Sequence, residues 1–399
     1  MKLRALVLLV LVTGCGEAAT APSRTAAEMV YVAGSRGATP GVFGLDSATG
    51  RIAVDIPLAV PAPDWKRLYA VNGSSLQYLD PAGHLLAAVD LPSGYELPQT
   101  TFDGRPGGLS QDGRWLVLQQ SGGPLKSSFL LVDTSTREIT HRVNFDGWYE
   151  FDAIDNSGTR LYLIHHFANQ PGLYEVAKYS FPTGEMQSPI IEKTGKLRVM
   201  QGNRVSTLPD PSGHWQYSLY RGGLDGAFIH TLSLDMDYGT AWCVDLPGGG
   251  TPDQQLAWSI TMSPDGKRLY AVNPVLNRAI WYNIDATSPG QAPVLFRQST
   301  PSEATEGYGM GASALSRDVK RLLVAGSTGV LVLDADHLNV VQRWTGTPAL
   351  RSLAFSADGV SAYGLDPSGL VRIDARTGQA ARSLASPVNP ILILGVRTN

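Results

Sequence analysis

The stretch Ala62–Asn72, APDWKRLYAVN, returns at Ser263–Asn273 as SPDGKRLYAVN, changed at two of eleven positions. Five more stretches keep the outline: SQDGRWLVLQQ, DNSGTRLYLIH, DPSGHWQYSLY, SRDVKRLLVAG and SADGVSAYGLD. Their turn positions fall at Asp64, Asp112, Ser157, Ser212, Asp265, Asp318 and Asp358, spaced 48, 45, 55, 53, 53 and 40 residues apart. A unit of that length cannot bury its own apolar faces, so it must stack on copies of itself. Five of the seven copies carry Gly after the turn residue, where a tight hairpin needs a left-handed backbone. Trp65 and Val319 stand there in the other two, which predicts turns of another type. The run that follows, as in Leu269–Val272, is apolar on consecutive positions. That suits a strand sandwiched between neighbours rather than one with a wet face.

A second signal recurs downstream of each hairpin: an apolar run, an Asp-centred turn and another strand. VFGLDSATGRIAVDIP, LQYLDPAGHLLAAVDLP and VLVLDADHLNVVQRW are examples. Asp in such a turn accepts from the backbone amides ahead of it. Each unit therefore reads as four antiparallel strands, and the chain as an all-β ring of such blades, a β-propeller. The first unit lacks an inner strand, and the C-terminal NPILILGVRTN is an unpaired apolar strand. Pairing the two closes the ring and removes its exposed edges. Eight blades result; seven is the alternative, because residues 58–63 leave little room to cross between blades. Composition agrees: charged residues are 17%, with 43 Gly and 26 Pro, a strand-and-turn balance. A net charge of −3 gives no nucleic-acid surface.

The start, MKLRALVLLVLVTGCG, has a positive n-region (Lys2, Arg4) and a short apolar stretch, Ala5–Val12. Eight residues cannot span a bilayer but suit a signal peptide. VTGC at 12–15 resembles a bacterial lipobox, which implies lipidation of Cys15 after cleavage. The expected organisation is a signal peptide over 1–14, lipidated Cys15 and a flexible tether to residue 28, and one propeller domain over 29–399. The expected location is the bacterial envelope, outside the cytoplasm and lipid-anchored to the membrane. The units SPDGKRLYAVN and GLDSATGRIAVDIP resemble the YVTN and WD40-like bacterial β-propellers. That resemblance implies the fold and leaves the chemistry open, since such propellers include binding scaffolds, lactonases and quinoprotein-type dehydrogenases.

No cofactor or metal site is expected. His165 and His166 are adjacent on a strand and point to opposite faces, so they cannot chelate one metal. DMD (235–237) and DAD (334–336) lack the Gly and Glu of a calcium loop and read as polar turns. Residues just before or within the inner strands should converge at one mouth of the channel. Arg105, Glu150, Arg204, Trp258, Glu306, Tyr308 and Arg351 form that candidate ligand set. The favoured expectation is a non-enzymatic binding module for a protein, peptide or glycan. The alternative is a lactonase-like hydrolase with an acid–base site at the channel mouth and Glu150 as base.

Overall fold

The computed structural model describes residues 28–398 apart from 100, 122–124, 171, 194–195, 198, 224–225, 236–240, 286–293, 301–310, 382–383 and 386–387. Eight sheets follow one another along the chain, antiparallel but for the pairing of Ile191–Lys193 with Ala241–Asp245 in the fifth. The expected ring closure is present. Asn389–Thr398 is the inner strand of the first blade and pairs with Glu28–Arg36, which continues to Thr39–Asp46 and Ile52–Pro57. The second blade runs Ala59–Pro61, Leu68–Asn72, Ser75–Leu79 and Leu85–Asp90. Three residues are enough for its inner strand, which settles eight blades over seven.

The ring is held by its seams. Eight apolar clusters lie one between each pair of neighbouring blades. The first seam packs Val54 and Tyr31 on Leu68, and the last packs Tyr363 and Leu365 on Val30 and Val32. The seam between blades four and five joins Tyr162, Ile164 and Tyr174 to Tyr220, Phe228 and Leu232. Second strands bury both faces: Leu269, Tyr270, Ala271 and Val272 are all buried. This is why the repeated phrase lacks alternation. Each such side chain contributes on the order of 1.5–3 kcal/mol through the water it excludes.

The seven predicted hairpins are present, and they are one turn. In each, the amide after the turn residue donates to the carbonyl three residues back, as in Gly266 to Ser263 at 2.9 Å and Val319 to Ser316 at 2.9 Å. The prediction of another turn type at Trp65 and Val319 is therefore corrected. Both adopt the left-handed backbone themselves, with φ of 59° and 56°, beside 68° at Gly266. Tertiary packing overrides the local preference. The Trp65 ring lies against Gly395 of the closing strand, 5.0 Å from the Tyr31 ring and 4.9 Å from the Arg397 guanidinium carbon.

The third blade departs from the pattern. Its sheet holds Trp115–Ser121, Lys126–Asp133 and Glu138–Asp146. In place of an inner strand it has two isolated bridges, Glu96 to Gln119 and Leu109 to Leu116. The chain between them makes an excursion across the ring. There Phe102 and Asp103 donate their amides to the carbonyls of Arg204 and Val205 in the fifth blade, at 2.9 and 3.0 Å.

Candidate functional site

Two inner strands face each other at the seam between blades four and five, Trp148–Ile154 and Asn203–Pro209. Both are bulged. The pairing of the first slips between Phe151 and Ala153, and that of the second between Arg204 and Ser206. A bulge adds one residue to a strand and re-aims its side chains. Here it accompanies a buried ion pair. The Arg204 guanidinium donates to the Asp152 carboxylate and to the Phe151 carbonyl (2.9 Å), and Gln216 donates to Asp152 at 2.9 Å. Asp152 is 3% and Arg204 7% exposed.

Toward the entry face, where the inner strands begin, Glu150 meets His166 with 3.1 Å between Oε2 and Nε2. The strands place them there. Trp148 is registered opposite His166 and Glu150 opposite Ile164, so Glu150 and His166 are diagonal cross-strand neighbours. The Trp148 ring stacks on the imidazole, with centroids 4.4 Å apart and planes at 28°. Burial opposes charge on Glu150, but the close contact and charge of His166 and the nearby Arg204 outweigh it and hold the carboxyl below its usual value. Arg204 is in turn held cationic: burial opposes this, and Asp152 foremost, with Glu150 among others, overcomes it. The adjacent His165 turns the other way, stacked on Tyr149 and 2.9 Å from Glu175, as its position on a strand predicts.

Beneath the ion pair lies a nest of buried polar groups. Asp152 Oδ2, the hydroxyls of Tyr174 and Tyr220 and both ring nitrogens of His230 have no hydrogen-bond partner among the described residues. Tyr174 and Tyr220 stack at 5.6 Å, and His230 meets the edge of Tyr220 at 6.0 Å. Burial raises the pKa of both phenols, and it pulls that of the fully buried His230 down to about 4.

The central channel holds a cavity of about 320 Å³, bordered by inner strands of blades five to eight, the closing strand and the excursion of blade three. Arg105 and Arg351 line it. Trp258 does so through its backbone: its indole is 0% exposed, packed in the seam of blades five and six and donating to Gln255 at 2.9 Å. Of the sequence-derived set, Glu150 and Arg204 are brought together at the seam, and Arg105 and Arg351 at the channel. Glu306 and Tyr308 lie outside the described residues, as does Cys15. His166, Asp152, Arg221 and His230 were not in that set. The strand register that pairs Glu150 with His166 is the signal that could have found the first.

No protein-family model and no curated protein sequence matches the chain. Solved structures do match. Dihydro-heme d1 dehydrogenase NirN, in complex with DHE, is 15% identical with a TM-score of 0.53, over 93% of this chain and 75% of its own. AztD from Citrobacter koseri, in its apo form, is 12% identical with a TM-score of 0.55, over 94% and 99%. The periplasmic gluconolactonase PpgL of Pseudomonas aeruginosa is 13% identical with a TM-score of 0.47, over 94% and 99%. At these identities the likeness is one of fold. The expectation of a non-enzymatic binding module is corrected all the same. A named dehydrogenase shares this fold, so the fold gives no ground for a non-enzymatic role, and this ring carries a carboxylate and an imidazole 3.1 Å apart that no sequence motif announces. What these comparisons and the closed ring of eight blades identify is the fold: the chain is an eight-bladed β-propeller.

Proposed function

We propose that this propeller is a hydrolase whose acid–base site is the Glu150–His166 pair at the entry face. One observation carries the reading: an imidazole held 3.1 Å from a carboxylate, under an indole, with a buried guanidinium fixing the charge of that carboxylate. Nε2 lies 3.1 Å from the Glu150 carboxylate without a formed hydrogen bond; once substrate engages the site, Nε2–H turns onto Glu150 and leaves Nδ1 as the basic nitrogen. Nδ1 takes a proton from water as the water oxygen adds to an ester or lactone carbonyl. Glu150 stabilises the imidazolium, which returns the proton to the leaving oxygen as the acyl C–O bond breaks. Arg204 does not reach the substrate. Its place is behind Glu150, keeping it ionised. The assay is hydrolysis of a panel of δ-lactones and p-nitrophenyl esters. His166→Gln should lower kcat/KM by about 10² or more, and Glu150→Gln by a smaller factor. Equal rates for wild type and His166→Gln would refute the assignment.

We also propose that the chain is a bacterial envelope lipoprotein anchored at Cys15, and that its units belong with the YVTN and WD40-like repeats. The leader and the repeated phrase support this. Cys15→Ser should move the protein from the membrane to the soluble fraction. Unchanged membrane association would remove the anchor.

A further inference from the structure

We propose that the central channel binds a small ligand carrying an oxyanion, carboxylate or phosphate, through Arg105, Arg221 and Arg351. The proposal is independent of the acid–base pair and of any hydrolysis there. Three guanidinium groups line the same cavity of about 320 Å³, and each has a buried Nε with no partner among the described residues. Arg221 is 4% exposed and reaches the channel from the second strand of blade five, where its guanidinium donates to the Trp258 carbonyl. Burial pulls it down to about 10, and Asp103 only partly opposes this. A buried cation of that kind is undercompensated, and a bound anion would complete it.

Among the described residues, counter-charges around the cavity are few. Asp103, on the excursion, is the only carboxylate among the described lining residues, and its Oδ1 accepts the Arg105 amide at 3.1 Å. Asp366 lies behind Arg351 but is occupied by the Ser368 hydroxyl and amide, both at 2.7 Å. Arg351 itself donates to the Asn389 side chain at 3.0 Å and to the Asp366 carbonyl at 3.4 Å, and its buried Nε has no partner among the described residues. Ser206, Thr261 and Ser313 line the same cavity. Planar guanidinium forks together with hydroxyls match the oxygens of a carboxylate or phosphate. The arginines come from blade three's excursion, blade five and blade eight. The ligand would therefore bridge the ring, and the excursion would form one wall of its site.

The test is titration calorimetry with two probes, citrate and inorganic phosphate, at matched ionic strength in chloride. Saturable binding of at least one is expected; the probe that binds identifies the oxyanion as carboxylate or phosphate. Arg221→Gln and Arg351→Gln should each weaken binding about tenfold or more, the scale of a lost charge-assisted hydrogen bond. Arg351 is half-buried, so its variant remains informative if Arg221→Gln does not fold. Arg137→Gln, on an outer turn beside Tyr78, should leave binding unchanged. Absence of saturable binding for both probes, or wild-type affinity in Arg351→Gln, would overturn the proposal. Both readouts are binding, so a failed hydrolase assay would leave them unaffected.

Discussion

His230 carries the sharpest consequence at the scale of single residues. It is 0% exposed, neither ring nitrogen has a partner among the described residues, and burial holds it at about 4. Its folded value lies below its unfolded one, so the unfolded chain takes up the proton first as pH falls. Stability associated with neutral His230 is complete above about 6.5 and is lost progressively toward about 4, to a total on the order of 3 kcal/mol. Urea midpoints measured between pH 7 and 4 should fall in the wild type. In His230→Leu that part of the loss should vanish. An unchanged acid limb in the variant would mean that another group dominates. Asp133 acts in the same direction at lower pH: burial opposes its charge, yet Ser135 and Arg114 hold it at about 2. The Asp-centred turns were legible because each aspartate bonds amides within its own turn, as Asp46 does with Thr49 at 2.7 Å. His230 was not legible. What makes it unusual is the blade packed across from it.

At the scale of the element, the shared hairpin explains which repeat positions are free to vary. The turn demands a left-handed backbone, which costs a side-chain-bearing residue about 1–2 kcal/mol. Val319 bears that cost while half-buried and β-branched. Val319→Gly should raise stability by roughly 0.5–1 kcal/mol, the strain relieved less the extra freedom glycine has when unfolded. Trp65→Gly should lower it, because the ring packs on the closing strand. Chemical denaturation of the two variants side by side decides the matter; the same sign for both would refute this account of the turn. Strands two to four of every blade were readable, since they repeat. The inner strand of blade three was not, because Glu96 and Leu109 supply only its ends and the chain between leaves the sheet. That departure from the repeat builds one wall of the channel.

At the scale of the molecule, closure depends on the closing strand and on a buried carboxylate. Glu28, 7% exposed, accepts the Tyr363 hydroxyl at 2.7 Å and the Ala357 amide at 2.9 Å, which ties the first blade to the eighth. Removing residues 389–398 would expose the edge of Glu28–Arg36 and open the last seam. The expected result is loss of the cooperative thermal transition together with aggregation through the free edge. A soluble truncated monomer that still unfolds cooperatively would show that the other seams suffice. The ring and its blade number follow from spacing and from the two incomplete ends. The candidate sites do not, because Glu150 and His166 are 16 residues apart and Arg105 and Arg351 246 apart. The proximity of the two arginines is a product of circular order, which no local pattern records, whereas that of Glu150 and His166 comes from the register of one hairpin.

The pairing of Asn389–Thr398 with Glu28–Arg36 also sets a timetable. A ribosome delivers the outer three strands of the first blade before every other strand of the ring and the fourth after them all. Blades two to eight can each assemble as they emerge, but the first must wait, its edge unmatched, for nearly the whole polypeptide to follow. Until then the chain is an open arc whose first and last blades cannot meet.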